Sequence, residues 1–416
     1  MNLIKNKNYK KLFLLVSIIL NLFPLLAIKF NASIFGFSDQ VRFINKILDL
    51  GSFTSGYIIP IGISFYTFQS LSYLIDSYKK LIPVEKNLFI CATYLAFFPQ
   101  LIIGPIERAG DLIPQLKNQI NLDQSLIDSG INLIIFGLFK KIVLANNIFF
   151  FTTLIFSDYK NSSGLLIILA ILFFRYQLYY DLSGYSDIAV GSARLFGIKL
   201  SNNFNRPLFS KSIAEYWSRW HITLMRWFKD YIFFAIAKFF RKRYQIQLCL
   251  LCTFILVGLW HEISLNWFLW GFTHGMIFFL SNFWKHFRLK KYNISKPDRN
   301  MFISITFTFL ITTIPACFII KNTTYESLVV LGHVLKTNFF NFDLILQNEV
   351  VFQKLIISIV FIIVIEYIEL LRIKTVLSST FFMQSQIRKF VFYTIVVVLF
   401  ICLGNLKIND FYYFNF

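Results

Sequence analysis

The amino-acid sequence predicts an all-α protein that crosses a membrane several times. Of its 416 residues, 56% are hydrophobic and 19% are aromatic, and a mean hydropathy of +0.62 is too high for a soluble domain of this length. The apolar residues form long unbroken runs, whereas a membrane β-barrel would show short alternating segments. Because lipid offers the backbone no hydrogen bonds, these runs are expected to be helices.

Apolar segments follow one another along the whole chain. They occupy residues 12–28, 58–75, 88–106, 131–156, 165–180, 246–260, 263–283, 301–320, 355–365 and 390–404. At about 20 residues per span, they predict about ten transmembrane helices. The first segment follows a basic stretch but precedes no small-residue cleavage site, so it is predicted to remain as a membrane helix.

Glycine and proline interrupt several of these segments, at Pro60, Gly62, Pro99, Gly104 and Pro105. Irregular backbone at membrane depth is tolerated only where it is buried in protein or lines a cavity. The interruptions therefore predict re-entrant or discontinuous helices around a pocket.

The segment from Asp181 to Lys242 mixes charges with Trp and Tyr, and is predicted to lie along the membrane surface or to dip into it. The sequence contains no long repeat, no low-complexity linker and no second soluble domain. Residues 1–416 are therefore predicted to form a single integral membrane domain.

The net charge of +20 raises the possibility of nucleic-acid binding. However, the cations fall in short clusters between apolar runs, at 5–11, 79–80, 140–141, 241–243 and 285–299. This pattern is typical of cytosolic loops under the positive-inside rule, so the lipid bilayer is the expected partner and nucleic acid is not.

Several functions are excluded by missing motifs. The sequence has no Walker A run, no dinucleotide-binding glycine fingerprint and no nucleophile elbow, so an ATP-driven pump or a serine hydrolase is unsupported. All five cysteines lie in apolar segments. Cys249 and Cys252 have redox-motif spacing but occupy an apolar helix, where packing is the expected role, and no metal site is predicted.

His261 and His221 are the strongest candidates for functional residues. Trp260-His261 closes an uncharged run that begins at residue 247, and Glu262 is followed by another uncharged run to residue 284. Titratable groups at membrane depth are costly and usually functional. The alternative for each is a hydrogen-bonded histidine that packs two helices. His274, beside Gly275, is more simply a helix-contact residue.

Asp181 and Asp187 bracket the string Leu-Ser-Gly-Tyr-Ser. Two carboxylates could carry out acid–base chemistry, but the glycines and serines favour a helix break with capping or cavity-lining acids.

These pieces together resemble the membrane-bound O-acyltransferase family. The matching strings are 60–76 (PIGISFYTFQSLSYLID), 97–108 (FFPQLIIGPIER), 181–187 (DLSGYSD), 203–207 (NFNRP), 216–221 (YWSRWH), 258–261 (GLWH) and 411–416 (FYYFNF). The resemblance extends from about residue 8 to the C-terminus, and the order of the strings makes it specific.

The resemblance implies a ring of about ten transmembrane helices, with re-entrant and interfacial helices, around a central funnel. The two hallmark histidines of the family correspond to His221 and His261, with His261 as the catalytic residue at the narrow waist. Such proteins lie in the bacterial inner membrane. The resemblance implies acetyl-CoA as a co-substrate and no permanently bound cofactor. The expected acceptor is an extracytoplasmic polysaccharide or a periplasmic acetyltransferase partner.

The same comparison predicts substrate-binding roles for Trp260, Asp187, Trp217, Arg219 and Glu262. Three departures from the family pattern are evident. The chain is expected to have one or two fewer spans before its first helix, which makes its N-terminus short for the family. Glu262 replaces a usual glycine. The 232–244 loop lacks the Pro-Leu-Gly-Gly-Asn-Arg string of the alginate branch and is closer to the D-alanyl branch.

The mechanism that follows is direct transfer, with His261 as the base that activates an acceptor hydroxyl against a thioester. His221 would orient the acceptor on the exit side. Glu262 would either stabilise the imidazolium or pair with another helix. The cationic residues 241–243 would gather coenzyme A or only anchor the topology. Two other functions stay open: D-alanyl transfer to teichoic acid from a carrier-protein thioester, and a transporter or flippase, although no inverted repeat supports the latter.

Overall fold

The structure is a computed structural model that describes residues 7–33, 62–101, 103–118, 123–292, 300–340, 349–375 and 386–404. Within these ranges the regular structure is helical and no strand occurs, which confirms the all-α prediction there. Pro60, the closing 411–416 string and parts of the first and last predicted basic clusters lie outside the described residues.

The helices vary widely in length. The first seven are α1 (Lys7–Ser33), α2 (Ile63–Tyr78), α3 (Leu88–Leu95), α4 (Ala109–Lys117), α5 (Gln124–Leu138), α6 (Asn146–Ser157) and α7 (Gly164–Leu195). They are followed by α8 (Ile213–Arg219), α9 (Ile222–Phe228), α10 (Phe234–Ala237), α11 (Arg243–His261), α12 (Leu265–Tyr292), α13 (Met301–Thr313), α14 (Thr324–Val334), α15 (Glu349–Thr375) and α16 (Gln386–Leu403). A π-helix, Phe139–Ala145, joins α5 to α6 without a break.

Five stretches of the described chain are long and apolar enough to cross a membrane. They are Asn8–Lys29, Gln124–Ser157, Gly164–Leu195, Arg243–His261 and Met301–Ile319. The structure therefore supports the prediction, made from composition, that the chain crosses a membrane several times. The ring of about ten helices and its funnel stay predictions.

The interruptions predicted by glycine and proline are present, and they correct one predicted span. Segment 88–106 is not one helix, because α3 ends at Leu95 and only a 3₁₀ turn, Phe98–Gln100, follows. Gly62, with φ 76°, begins α2, and a Cβ there would lie 2.2 Å from the carbonyl oxygen of Leu101. The backbone at Gly62 therefore packs directly against the backbone at Leu101, and only glycine at position 62 permits this close approach.

The helix break predicted between Asp181 and Gly191 is wrong, because α7 continues to Leu195. The glycines of this stretch serve helix packing instead. A Cβ on Gly184 would lie 2.8 Å from the carbonyl oxygen of Gly137 on α5, and a Cβ on Gly191 would lie 2.6 Å from that of Gly130. Small residues let membrane helices approach closely, so α5 and α7 share a tight interface.

Replacing Gly137 by Ala is expected to destabilise the protein by about 1–3 kcal/mol, because the new methyl group must push two helices apart. A Cβ at this position would lie 2.4 Å from the carbonyl oxygen of Gly184. Denaturant titration of the purified protein would measure the change. Gly332→Ala on α14 is the matched control, since a Cβ there has no neighbour within 4 Å. Equal effects of the two substitutions would contradict the packing role.

The position of the stretch between α7 and α11 at the membrane surface stays a prediction, but the structure shows how its tryptophans pack. Its tryptophans point inward: Trp217, Trp220 and Trp227 are between 4% and 7% exposed and belong to the main hydrophobic core. Trp227 also donates a hydrogen bond to the carbonyl oxygen of Phe68 at 2.9 Å. These tryptophans therefore anchor short helices into the protein interior.

Candidate active site

His261 is the last residue of α11, and its ring lies among three tryptophans. Its ring centroid is 4.4 Å from that of the stacked Trp267, 4.6 Å from Trp260 and 5.6 Å from Trp270. Such aromatic contacts hold the orientation of an imidazole and limit its exposure to water. Sequence reasoning predicted Trp260 here but missed Trp267 and Trp270, whose i, i+3 spacing on α12 was the available signal.

Lys29, near the end of α1, reaches the backbone of this histidine. Its Nζ donates to the carbonyl oxygen of His261 at 2.7 Å and lies 5.9 Å from the ring centroid of Trp260. The last carbonyls of a helix lack intrahelical partners and carry partial negative charge, so a cation is favourable there. The Glu262 carboxylate also attracts Lys29. Both roles left open for Glu262 stay predictions.

Replacing Lys29 by Met is expected to destabilise the protein by about 1.5–3 kcal/mol, the usual worth of a hydrogen bond from a charged donor. The loss arises because the terminal carbonyl of α11 loses its partner. Thermal and denaturant unfolding of the purified protein would measure it. Lys11→Met, at an exposed position of the same helix, is the control and should change little. An unchanged Lys29 variant would show that α11 ends stably without this contact.

His221 is the N-cap residue directly before α9 and has a left-handed backbone conformation, with φ 45° and ψ 53°. Its neighbour Thr223 is held by Asn203, whose Oδ1 accepts hydrogen bonds from the Thr223 N–H and hydroxyl at 3.2 and 3.0 Å. The His221 ring is 2% exposed and stacks on Phe65 at 6.4 Å. Left-handed backbone costs a non-glycine residue about 1–2 kcal/mol, and such strain is concentrated at functional positions.

Burial also determines the charge of His221. Desolvation lowers the pKa of its imidazole to about 3, so the ring is neutral at physiological pH. Within the described part of the chain, neither ring nitrogen has a hydrogen-bond partner. A neutral imidazole with two unused nitrogens can accept from or donate to a bound hydroxyl, which is the orienting role predicted from the sequence.

The two histidines line the same cavity. Its volume is about 40 Å³, and its other walls include Arg175, Asp181, Trp220, Trp267 and Trp270. A water molecule needs about 10–15 Å³ on this measure, so the space holds a group of about three heavy atoms. This is the size of a small acyl group.

None of the five predicted substrate-binding residues is among those that line this cavity, although Trp260 packs against the ring of His261. Arg219 forms an ion pair with Glu215 on α8 at 2.5 Å. Trp217 packs in the core against the ring of His274 at 4.8 Å. His274 is fully buried, in keeping with the helix-contact role predicted for it. Asp187 forms part of an ionic cluster beside the cavity. Substrate contacts by all five predicted residues stay predictions.

The ionic cluster corrects the assignment of Lys140 and Lys141 to a cytosolic loop. Both lie in the π-helix between α5 and α6, and both are mostly buried. Lys141 pairs with Asp181 at 2.5 Å, and Lys140 pairs with Asp187 at 3.1 Å and Glu369 at 2.5 Å. Buried cations need such partners to offset desolvation. Asp181 is therefore both a cavity wall, as the sequence allowed, and a paired acid.

Comparison with known proteins identifies the family to which this chain is similar. Residues 79–321 match the family model of the membrane-bound O-acyltransferases. The chain is 37% identical over 219 residues to the probable alginate O-acetylase AlgI of Pseudomonas aeruginosa, which covers 53% of this chain and 42% of that protein. It is 31% identical over 332 residues to the peptidoglycan O-acetyltransferase of Helicobacter pylori, which covers 73% of this chain and 61% of that protein.

A third relative carries a different activity in its name. The chain is 28% identical over 261 residues to the teichoic acid D-alanyltransferase of Bacillus subtilis, covering 60% of this chain and 65% of that protein. The matched parts span between 42% and 65% of the length of these three relatives. The family model nevertheless covers more than half of this chain and includes both histidines. The chain belongs to the membrane-bound O-acyltransferase family.

Proposed function

We propose that this protein transfers an acetyl group across the bacterial inner membrane from a cytosolic thioester donor, acetyl-CoA. The acceptor is a hydroxyl of an extracytoplasmic polysaccharide or a periplasmic acetyltransferase partner. The observation that carries the proposal is the convergence of His261 and His221 on one cavity, in a chain of an acyltransferase family. Two of the relatives described above are named for O-acetylation.

The proposed chemistry is a direct transfer with His261 as the base. The imidazole takes the proton of the acceptor hydroxyl while the hydroxyl oxygen attacks the carbonyl carbon of the thioester. A C–O bond forms and the C–S bond breaks. The leaving thiolate then takes the proton from the imidazolium and departs as a thiol. No acyl-enzyme is needed, since the acceptor attacks the thioester itself.

The surroundings of the cavity support this assignment of roles. The tryptophans around His261 limit the access of water, which would otherwise compete with the acceptor for the thioester. His221, neutral and in a left-handed backbone conformation, has the proposed role of orienting the acceptor hydroxyl. The exposed cations of residues 241–243 could attract the phosphates of coenzyme A, although anchoring the topology would use the same residues.

D-alanyl transfer from a carrier-protein thioester is the second candidate, favoured by the similarity to a teichoic acid D-alanyltransferase. The small volume of the cavity supports acetyl, which is the smaller of the two acyl groups. The transporter or flippase alternative loses its support, since the histidine motifs belong to an acyltransferase family.

Mass spectrometry of cell-envelope polysaccharides and peptidoglycan from a deletion strain would test the function. We expect the loss of an acetyl ester, restored by the intact gene and not by a His261→Ala version of it. Loss of D-alanyl esters would favour the second candidate. An unchanged ester content in all glycans would contradict both.

A further inference from the structure

Arg175 is a buried cation that the proposed chemistry does not use. It lies in the middle of α7 and is only 2% exposed. One guanidinium nitrogen, Nη2, donates to the hydroxyl of Tyr216 at 2.6 Å, and the guanidinium carbon is 5.4 Å from the ring centroids of Tyr216 and Trp220. A guanidinium has five N–H donors, so this environment satisfies only part of it.

The charge of Arg175 is not balanced by an ion pair. No carboxylate lies within ion-pair distance of it in the ranges that the structure covers. Its Nε also lacks a hydrogen-bond partner there. Burying an unpaired charge is expensive, and a chain that does so at membrane depth generally uses the charge.

The guanidinium lines the cavity that His221 and His261 share. The other charged wall of that cavity, Asp181, is paired with Lys141 at 2.5 Å. Arg175 is therefore the charged residue of the cavity wall that has no oppositely charged partner in the described part of the chain, and it adds a positive charge to this space.

We propose that Arg175 is a specificity residue, whose positive charge makes the cavity accept neutral acyl groups and reject acyl groups that carry an ammonium. This inference rests on the proposed function and deepens it. The Nε–H of Arg175 is available to donate to an oxygen of the bound thioester, whereas an ammonium on the acyl chain meets repulsion in a medium of low dielectric constant. The cavity therefore accepts an acetyl group and rejects an aminoacyl group such as D-alanyl.

Three thioesters of the same thiol, pantetheine, separate the effect of charge from that of size. Propionyl and glycyl groups have the same number of heavy atoms and differ in one positive charge, because the α-amino group of the glycyl thioester is mostly protonated at pH 6.5. Acetyl provides the smaller neutral reference. The measurement is kcat/KM for transfer of each labelled acyl group to cell-envelope polysaccharide by the purified full-length protein in lipid vesicles.

We expect the unaltered protein to prefer propionyl over glycyl by about 10-fold or more, since like charges separated by several ångströms repel on this scale in a protein interior. Arg175→Met should reduce this preference about 10-fold and leave the ratio of acetyl to propionyl unchanged. Arg175→Lys keeps the charge and should keep the preference. Arg194→Met is the matched control, because Arg194 lies on the same helix about 28 Å away.

Several outcomes of this experiment would contradict a role of Arg175 in acyl-group specificity. An equal loss of all three activities in Arg175→Met, with its preference unchanged, would assign Arg175 a structural role and overturn the proposal. A wild-type protein that uses glycyl as well as propionyl would overturn it too. If Arg175→Met does not fold, loss of the preference in the folded Arg175→Lys protein would contradict a charge effect. Absence of transfer from any thioester would overturn the proposed function itself, and the specificity role with it.

Discussion

An alanine in place of His261 is expected to lower the rate of acyl transfer about 10²–10⁴-fold, the usual contribution of a general base. The hydroxyl of the acceptor loses the group that removes its proton, at the end of α11 in the cavity that His221 also lines. Initial rates with labelled acetyl-CoA and vesicle-embedded protein would measure the loss. Membrane abundance and unfolding temperature should change little.

His333→Ala is the matched control for this substitution. His333 lies on α14, where its ring meets that of Tyr159 at 5.6 Å, and it does not line the cavity. Its replacement should leave transfer intact. His221→Ala should raise the KM for the acceptor more than that for the donor, because His221 is proposed to orient the hydroxyl. Full activity in the His261 variant would remove the base from the mechanism.

Replacing Lys141 by Met is expected to destabilise the protein by about 3–5 kcal/mol, because it leaves the buried carboxylate of Asp181 without its cation. The two side chains are 13% and 4% exposed and lie 2.5 Å apart, so solvent cannot compensate. The free energy of unfolding would be measured by denaturant titration in detergent. This is the largest stability effect that we expect from a single substitution in the described chain.

The double variant Lys141→Met, Asp181→Asn tests the cause of that effect. With both charges removed, most of the lost stability should return, since replacing a buried ion pair by uncharged groups is often close to neutral. Asp230→Asn provides a comparison at a more exposed pair with Arg108, where the carboxylate side chain is 39% exposed and a smaller change is expected. A double variant as unstable as the single one would show that Lys141 acts through packing and not through charge.

The local pattern of the sequence predicted some elements correctly and misjudged others for identifiable reasons. Hydropathy predicted helices, and glycine and proline predicted the breaks near Gly62 and Pro99. The same reasoning wrongly placed a break in α7. In the sequence, a glycine that lets a neighbouring helix pack closely looks the same as a glycine that ends a helix. Only the position of α5 distinguishes the two.

Charge was misjudged for a similar reason. Lys140 and Lys141 resemble a cytosolic anchor in the sequence, since a basic pair beside an apolar run usually is one. Their acidic partners are distant in the chain, Asp181 and Asp187 on α7 and Glu369 on α15. Lys29 was missed as well, because nothing near it in the sequence indicates that it contacts the carbonyl of His261.

The sequence by itself determined the helical class, the membrane character and the identity of His221 and His261, since these depend on composition and on short motifs that need no partner. The tertiary structure alone decided that these histidines share one cavity, that Arg175 adds a charge to it, and that paired acids hold the buried lysines. The physical reason is range: hydropathy and motifs act within a few residues, whereas cavities and ion pairs join residues separated by tens to hundreds of positions.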